Sequence, residues 1–271
     1  MKSAARDFMD TRYTVHMNCV LAIGGLDPGG GAGIIADARA IERAGAFACA
    51  VATVQTIQST RGLERVAPVD PRVWTDQARV VIRDQRVRAI KTGALGSAAN
   101  VRAVAKLAKR IPIIVDPVML PTRGKARLLD RDALDAMRVD LVPRAALVTA
   151  NVAEAEALTG VKVESVFDAY IAGKALVNIG ARAVLVKGGH LEGPIATDVL
   201  VTKKRSEQFA RSRIRTKKKL HGAGCTLASL IAGRVAMGDD VFAAVRFAKR
   251  VHHAAIEKAA DIGGSMLVIS L

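Results

Sequence analysis

Aromatic residues are scarce in this 271-residue chain, 3% of the total, too few for the stacking platforms with which proteins hold single-stranded nucleic acid. Cysteine is scarcer: Cys19, Cys49 and Cys225 are odd in number and far apart, which fits neither a disulfide framework nor a zinc quartet and points to a reducing cytoplasm. No apolar run reaches 18 residues. Residues 1–16 are polar and mixed in charge without a signal core, so they read as an extension ahead of a domain over 17–271, and neither secretion nor membrane insertion is expected. There is no internal repeat, low-complexity stretch or interdomain linker.

Small aliphatic residues and positive charge are abundant. Hydrophobic residues make up 51% of the chain, and short Val/Ile/Leu/Ala runs alternate with helical patterns, so a single α/β domain around a mostly parallel sheet is expected. The net charge is +16, and much of it crowds into Lys203, Lys204, Arg205, Arg211, Arg213, Arg215, Lys217, Lys218 and Lys219. That segment reads as a face that attracts a nucleotide, with nucleic acid not expected as a partner. A strand from Glu207 to Arg215 would put its three arginines on one face by the period of two.

The glycines fall where apolar runs stop. Val20–Ile23 ends at Gly24-Gly25-Leu26-Asp27-Pro28-Gly29-Gly30-Gly31-Ala32-Gly33, the strand–loop–helix order of a ligand loop at the carboxyl edge of a parallel sheet. Its spacing does not match the dinucleotide fingerprint. A strand over 48–57 delivers Gln58, and Ile111–Val115 delivers Asp116, placed either to hold a cation or to cap a helix. Asn151 and Glu154 have the spacing of a capping box, and Ala183–Val186 leads to Lys187-Gly188-Gly189-His190. Finally, His221-Gly222-Ala223-Gly224-Cys225-Thr226 opens a helix, so backbone N–H groups at its N-terminus can cradle an anion beside a thiol; a tight turn with Cys225 as a small core residue is the alternative.

Taken in order, Gly25–Gly33, Asp116-Pro117-Val118-Met119, Lys187–His190 and His221–Thr226 resemble the hydroxymethylpyrimidine and phosphomethylpyrimidine kinases of thiamine synthesis, in the ribokinase-like superfamily. The resemblance implies a sheet of eight or so strands with helices on both faces and a small-molecule pyrimidine substrate meeting ATP at one edge. It also implies Mg²⁺ on Asp116 and Glu154, Lys187 on the nucleotide phosphates with Asn151 fixing that end, and Gln58, Gly25, Asp27 and Val118 around the pyrimidine. Gly222, Ala223, Gly224 and Cys225 would form the anion hole, with Cys225, its thiolate favoured by the helix N-terminus and nearby cations, as base. A homodimer is the expected assembly. The chain departs from the family pattern at Ala223 (usually Thr), at Ala150 (usually Pro), at Ala94 (usually Met) and across the lid loop 120–127. A pyridoxal-type vitamin kinase and a catalytically weak pyrimidine sensor are the competing readings.

Overall fold

The computed structural model describes residues 16–107, 110–119, 128, 129 and 131–271. The expected extension over 1–16 and the lid loop 120–127 therefore fall outside the described residues, apart from His16. Among the described residues nine strands form one sheet: β1 (Cys19–Leu26), β2 (Phe47–Ser59), β3 (Gly62–Pro68), β4 (Val87–Thr92), β5 (Ile113–Val115), β6 (Leu147–Asn151), β7 (Ala183–Lys187), β8 (Ile195–Thr202) and β9 (Ser206–Ser212). Their order is β3-β2-β1-β4-β5-β6-β7-β8-β9. β2, β1, β4, β5, β6 and β7 are parallel, and β3, β8 and β9 lie at the edges in antiparallel pairs.

The period of two divides the strands between two cores. In β1, Cys19, Leu21 and Ile23 enter one layer while Val20 and Ala22 enter the other. The first layer packs under α2 (Pro71–Asp84), α3 (Ala98–Leu107), α4 (Arg131–Ala136), α5 (Val152–Thr159) and α6 (Val166–Ile179); the second under α1 (Gly33–Arg43), α7 (Ala223–Ala236) and α8 (Val241–Glu257). Burial of both faces explains why the central strands read as nearly continuous apolar runs. Each wholly enclosed Leu or Ile contributes about 1.5–3 kcal/mol.

Local signals set the helix starts. Asp70 accepts the Arg72 N–H ahead of Pro71 at the start of α2, and both Asn151/Glu154 and Ser165/Asp168 form complete capping boxes. The region 131–144, α6 and β3 were not anticipated from periodicity. In the first of these, α4 runs into a π-helical turn over Met137–Leu141, so its apolar positions drift off the 3.6-residue period.

The connections from β1 and β4 leave in opposite directions, to β2 and to β5, which opens a crevice at the carboxyl ends of these strands. All the sequence-nominated loops collect along that edge. A separate two-stranded parallel sheet of β10 (Lys219–His221) and β11 (Met266–Val268) ties the C-terminal segment to the strand that enters the anion turn.

The basic segment is divided by the fold. Thr202 pairs with Ala183 at the amino end of β7, so Lys203, Lys204 and Arg205 lie at the opposite edge of the sheet from Lys187, about 13 Å away along the strand. With Arg182 they line a crevice of about 460 Å³. β9 stops at Ser212, so the expected arginine face does not form. Arg213 instead turns back and donates to the carbonyls of Gly189, Leu191 and Gly193, pinning the loop that follows Lys187.

Candidate active site

The anion turn is built on a close approach that only glycine permits. Gly222 has φ +78°, and a Cβ there would lie 1.9 Å from the Gly31 carbonyl oxygen, so the turn sits directly against the glycine loop after β1. That loop is held from inside by Asp27, whose carboxylate accepts the Gly29 and Ala32 N–H groups at 2.9 Å each. The His221 Nε2–H donates to Asp27 Oδ2 at 2.7 Å, and the Gln58 amide nitrogen stands 3.0 Å from the same ring nitrogen. Burial would raise Asp27, but His221 and the two backbone donors carry it below the usual carboxylate range. Gly25 closes the group: a Cβ on Gly33 would meet its carbonyl oxygen at 2.2 Å.

On the other side of the anion turn, Lys187 stands at the end of β7 opposite Asn151 at the end of β6. Its Nζ donates to Asp116 Oδ1 at 3.0 Å and lies 3.8 Å from Glu154 Oε2. Asp116 is no helix cap; its Oδ1 also accepts from Thr149 Oγ1 at 3.2 Å, and the half-buried Val118 donates its N–H to the Asp116 carbonyl oxygen at 2.9 Å. Glu154 serves two masters, since its Oε2 also accepts the Asn151 N–H at 2.8 Å in the capping box. Burial pushes Glu154 up to about 7, with Asp116 adding to that and Lys187 opposing it. The same carboxylates, outweighing burial, hold the Lys187 ammonium above its ordinary value.

One measurement joins the two sides. A Cβ on Gly224 would lie 3.3 Å from Lys187 Nζ, so the ammonium faces the first turn of α7, where the free N–H groups are. The nominated residues lie near one another at the carboxyl edge of the sheet, linked through His221, Lys187 and the Gly31–Gly222 contact, with Val118 placed there by its backbone N–H bond to the Asp116 carbonyl.

Cys225 departs from expectation. It is half-buried beside the Gly33 N–H, and burial pushes its thiol up to about 12; Lys91 pulls it down, Asp116 and Asp37 push it further up. Desolvation of a thiolate among carboxylates outweighs the cations, so the resting sulfur is protonated at neutral pH, contrary to the favoured thiolate.

Several residues that brace the site went unrecognised in the sequence. Asp198 accepts the Gly188 N–H at 3.0 Å and pairs with Lys249 at 2.7 Å, fixing the backbone after Lys187. His252 on α8 donates from Nε2 to the Ala223 carbonyl oxygen at 2.9 Å; burial first, then Lys249, lowers it to about 4, so it is neutral. Lys91, Asp37 and Ser229 form an enclosed group below Cys225. Lys91 and Asp37 did leave a trace in the sequence, as charges at positions that the apolar pattern marks as internal.

A phosphomethylpyrimidine kinase family model matches residues 27–269. The chain belongs to that family. It is 40% identical over 243 residues to a hydroxymethylpyrimidine/phosphomethylpyrimidine kinase of Rhizobium meliloti, covering 88% of this chain and 90% of that one. It is 41% identical over 247 residues to a thiamine biosynthesis bifunctional protein of Geobacter sulfurreducens; the match takes in 90% of this kinase but only half of that longer protein. Among solved structures, an ADP complex of Bacillus subtilis pyridoxal kinase superposes with a TM-score of 0.86 at 29% identity, covering 94% of this chain and 97% of that one. The ribokinase-like α/β architecture expected from the motifs is thus the fold of this kinase. No helix among the described residues is long and apolar enough to cross a membrane.

Proposed function

We propose that this kinase transfers the γ-phosphoryl group of ATP to the hydroxymethyl group of 4-amino-5-hydroxymethyl-2-methylpyrimidine, and then phosphorylates the monophosphate, in the cytoplasm and as a homodimer of the 17–271 domain. The observation that carries the reading is the approach of Lys187 to Gly224, which sets a cation beside the helix-N-terminal N–H groups of the anion turn, so both can act on one phosphate. Phosphoryl transfer asks mainly for such positioning and charge stabilisation.

In this reading the N–H groups of Gly222, Ala223, Gly224 and Cys225 hold the equatorial oxygens of the transferred group, and Lys187 holds the nucleotide end with Asn151. Asp116 and Glu154 supply hard carboxylate oxygens beside Lys187, a donor set that suits Mg²⁺ completed by phosphate and water. When bound, the ion would neutralise phosphate charge. Gln58 presents an amide that donates and accepts, as an aminopyrimidine edge requires, with Gly25, Asp27 and Val118 shaping the ring's pocket. The attacking hydroxyl gives its proton to Cys225 in its thiolate form as the new O–P bond forms and the bond to ADP breaks. Because the resting thiol sits so high, that form is minor at neutral pH, and turnover rises with pH across the range about 7 to 9.

Purified protein incubated with ATP, Mg²⁺ and either the pyrimidine or pyridoxal, with products read by mass, tests the substrate. Cys225→Ala is expected to lower kcat by about 10²–10⁴-fold with little change in the KM for ATP. Turnover near that of the unaltered enzyme removes Cys225 as base, and phosphorylation of pyridoxal alone replaces the pyrimidine with the vitamin B6 ring.

A further inference from the structure

Below Cys225 lies a charge that the scheme above leaves unused. Lys91, near the carboxyl end of β4, is completely enclosed, and its Nζ donates to Asp37 Oδ1 at 2.7 Å; Asp37, on α1, is enclosed as well. Ser229 Oγ, one turn beyond Cys225 on α7, donates to the same oxygen at 2.8 Å. One carboxylate oxygen thus fixes an ammonium between the sheet and two helices. The arrangement is not optimised for stability, because Asp37 Oδ2 and Thr92 Oγ1 are buried with no hydrogen-bond partner among the described residues. A well-packed apolar pair in place of a buried ion pair is often neutral or stabilising, so the charge calls for another account.

Its position supplies one. The ammonium lies 3.3 Å from where a Cβ on Gly93 would be, close under the crevice between β1 and β4. We propose that Lys91 is a positioning residue that acts through Cys225: its ammonium, locked by Asp37 and Ser229, is the fixed charge that holds the thiolate when the sulfur gives up its proton. This rests on the reading of Cys225 as proton acceptor. In the transfer step the hydroxymethyl proton passes to sulfur, the substrate oxygen bonds to phosphorus, and the β,γ-bridging O–P bond breaks with its electron pair leaving on ADP. Lys91 exchanges no proton; Asp37 holds its ammonium above the ordinary lysine value despite burial.

The charged groups that act on Cys225 come from four places: Lys91 on β4, Asp37 on α1, Asp116 beyond β5 and Lys187 beyond β7. Asp37 ties the Lys91 ammonium to Ser229, one turn along α7 from Cys225, so the cation favours the thiolate while the Asp37 and Asp116 carboxylates oppose it. Altering the two members of the ion pair therefore has opposite signs, which a purely structural role does not give.

The test is the rate at which iodoacetamide alkylates Cys225 in the protein without nucleotide, from about pH 7.5 to 9.5, where rate follows thiolate fraction. Mass analysis of the Cys225 peptide keeps Cys19 and Cys49 out of the measurement. Lys91→Met is expected to slow alkylation about tenfold at every pH, the equivalent of one pKa unit, and Asp37→Asn to speed it severalfold. Since Lys91→Met leaves a lone buried carboxyl, Lys91→Met/Asp37→Leu is measured beside it, with circular dichroism confirming the fold; alkylation slower than in the unaltered protein is expected there too. Unchanged rates in folded Lys91 variants, or slowing by both single substitutions, overturn the proposal. The kcat of Lys91→Met should fall in step with alkylation while the KM for ATP stays put. Slowed alkylation with unchanged kcat supports the hold on the thiol and overturns the assignment of Cys225 as base instead.

Discussion

Two lysines end parallel strands of the same sheet, yet the protein treats them differently. Lys91 is wholly enclosed with one equally enclosed carboxylate, whereas Lys187 keeps 12% of its side chain exposed and shares two carboxylates that also face the cleft. Enclosure makes the first pair permanent, since neither ion can find water without unfolding the site. The second is open at one side, so in the proposed scheme incoming phosphate oxygens would take over the ammonium and a cation the carboxylates. His252 gives a third case. It lies between the two lysines in burial but lacks a carboxylate, and the fold keeps it neutral where it keeps Lys91 charged. Burial decides that a charge is costly; the partner decides whether it survives.

The largest effect should come from breaking the enclosed pair. Lys91→Met is expected to cost about 3–5 kcal/mol in urea unfolding, because it leaves Asp37 without its counter-ion, and Lys91→Met/Asp37→Leu should recover most of that. If the double variant is no more stable than the single one, the pair contributes through packing and not through charge.

A somewhat smaller effect belongs to His252. Its folded value of about 4 lies below the ordinary 6.5, so between these pH values the unfolded chain binds a proton that the folded protein refuses. Stability therefore rises with pH through that window and is level above it, an effect of at most about 3 kcal/mol. His252→Gln, which keeps an N–H for the Ala223 carbonyl, should flatten this part of the unfolding free energy against pH; an unaltered slope would mean that His252 does not titrate as its burial requires.

The smallest effects are expected from cations with no enclosure. Lys203→Ala/Lys204→Ala/Arg205→Ala should leave the KM for ATP unchanged at low and high salt, because the hairpin is more than a Debye length of about 8 Å from Lys187. Lys217→Ala/Lys218→Ala/Lys219→Ala, next to the anion turn, should raise it at low salt and converge at high salt. A salt-dependent shift in the first set would restore the basic segment as a single functional unit.

The sequence alone determined much of this protein. Apolar runs too short and too uniformly Val, Ile, Leu and Ala for exposed strands required a parallel sheet covered on both faces, and glycines at the ends of those runs marked the ligand edge. Because all parallel strands end on the same side, residues at or just past their ends, such as Asn151, Lys187 and Asp116, were bound to gather along one edge wherever the chain placed each strand. The capping box at Asn151 and Glu154 was legible because it is local, closed within three residues. What only the tertiary structure decided depends on distance and enclosure. The turn at Gly222 rests on Gly31 nearly 200 residues earlier, Lys91 meets Asp37 and Ser229 from different elements, and Arg213 leaves its strand for the carbonyls of another loop. The protonation of Cys225 belongs with these. A thiol at a helix N-terminus beside cations has its thiolate favoured when only neighbours in sequence are counted, and it is pushed up to about 12 once burial and the carboxylates of distant strands are in place, because desolvation is a property of the assembled fold.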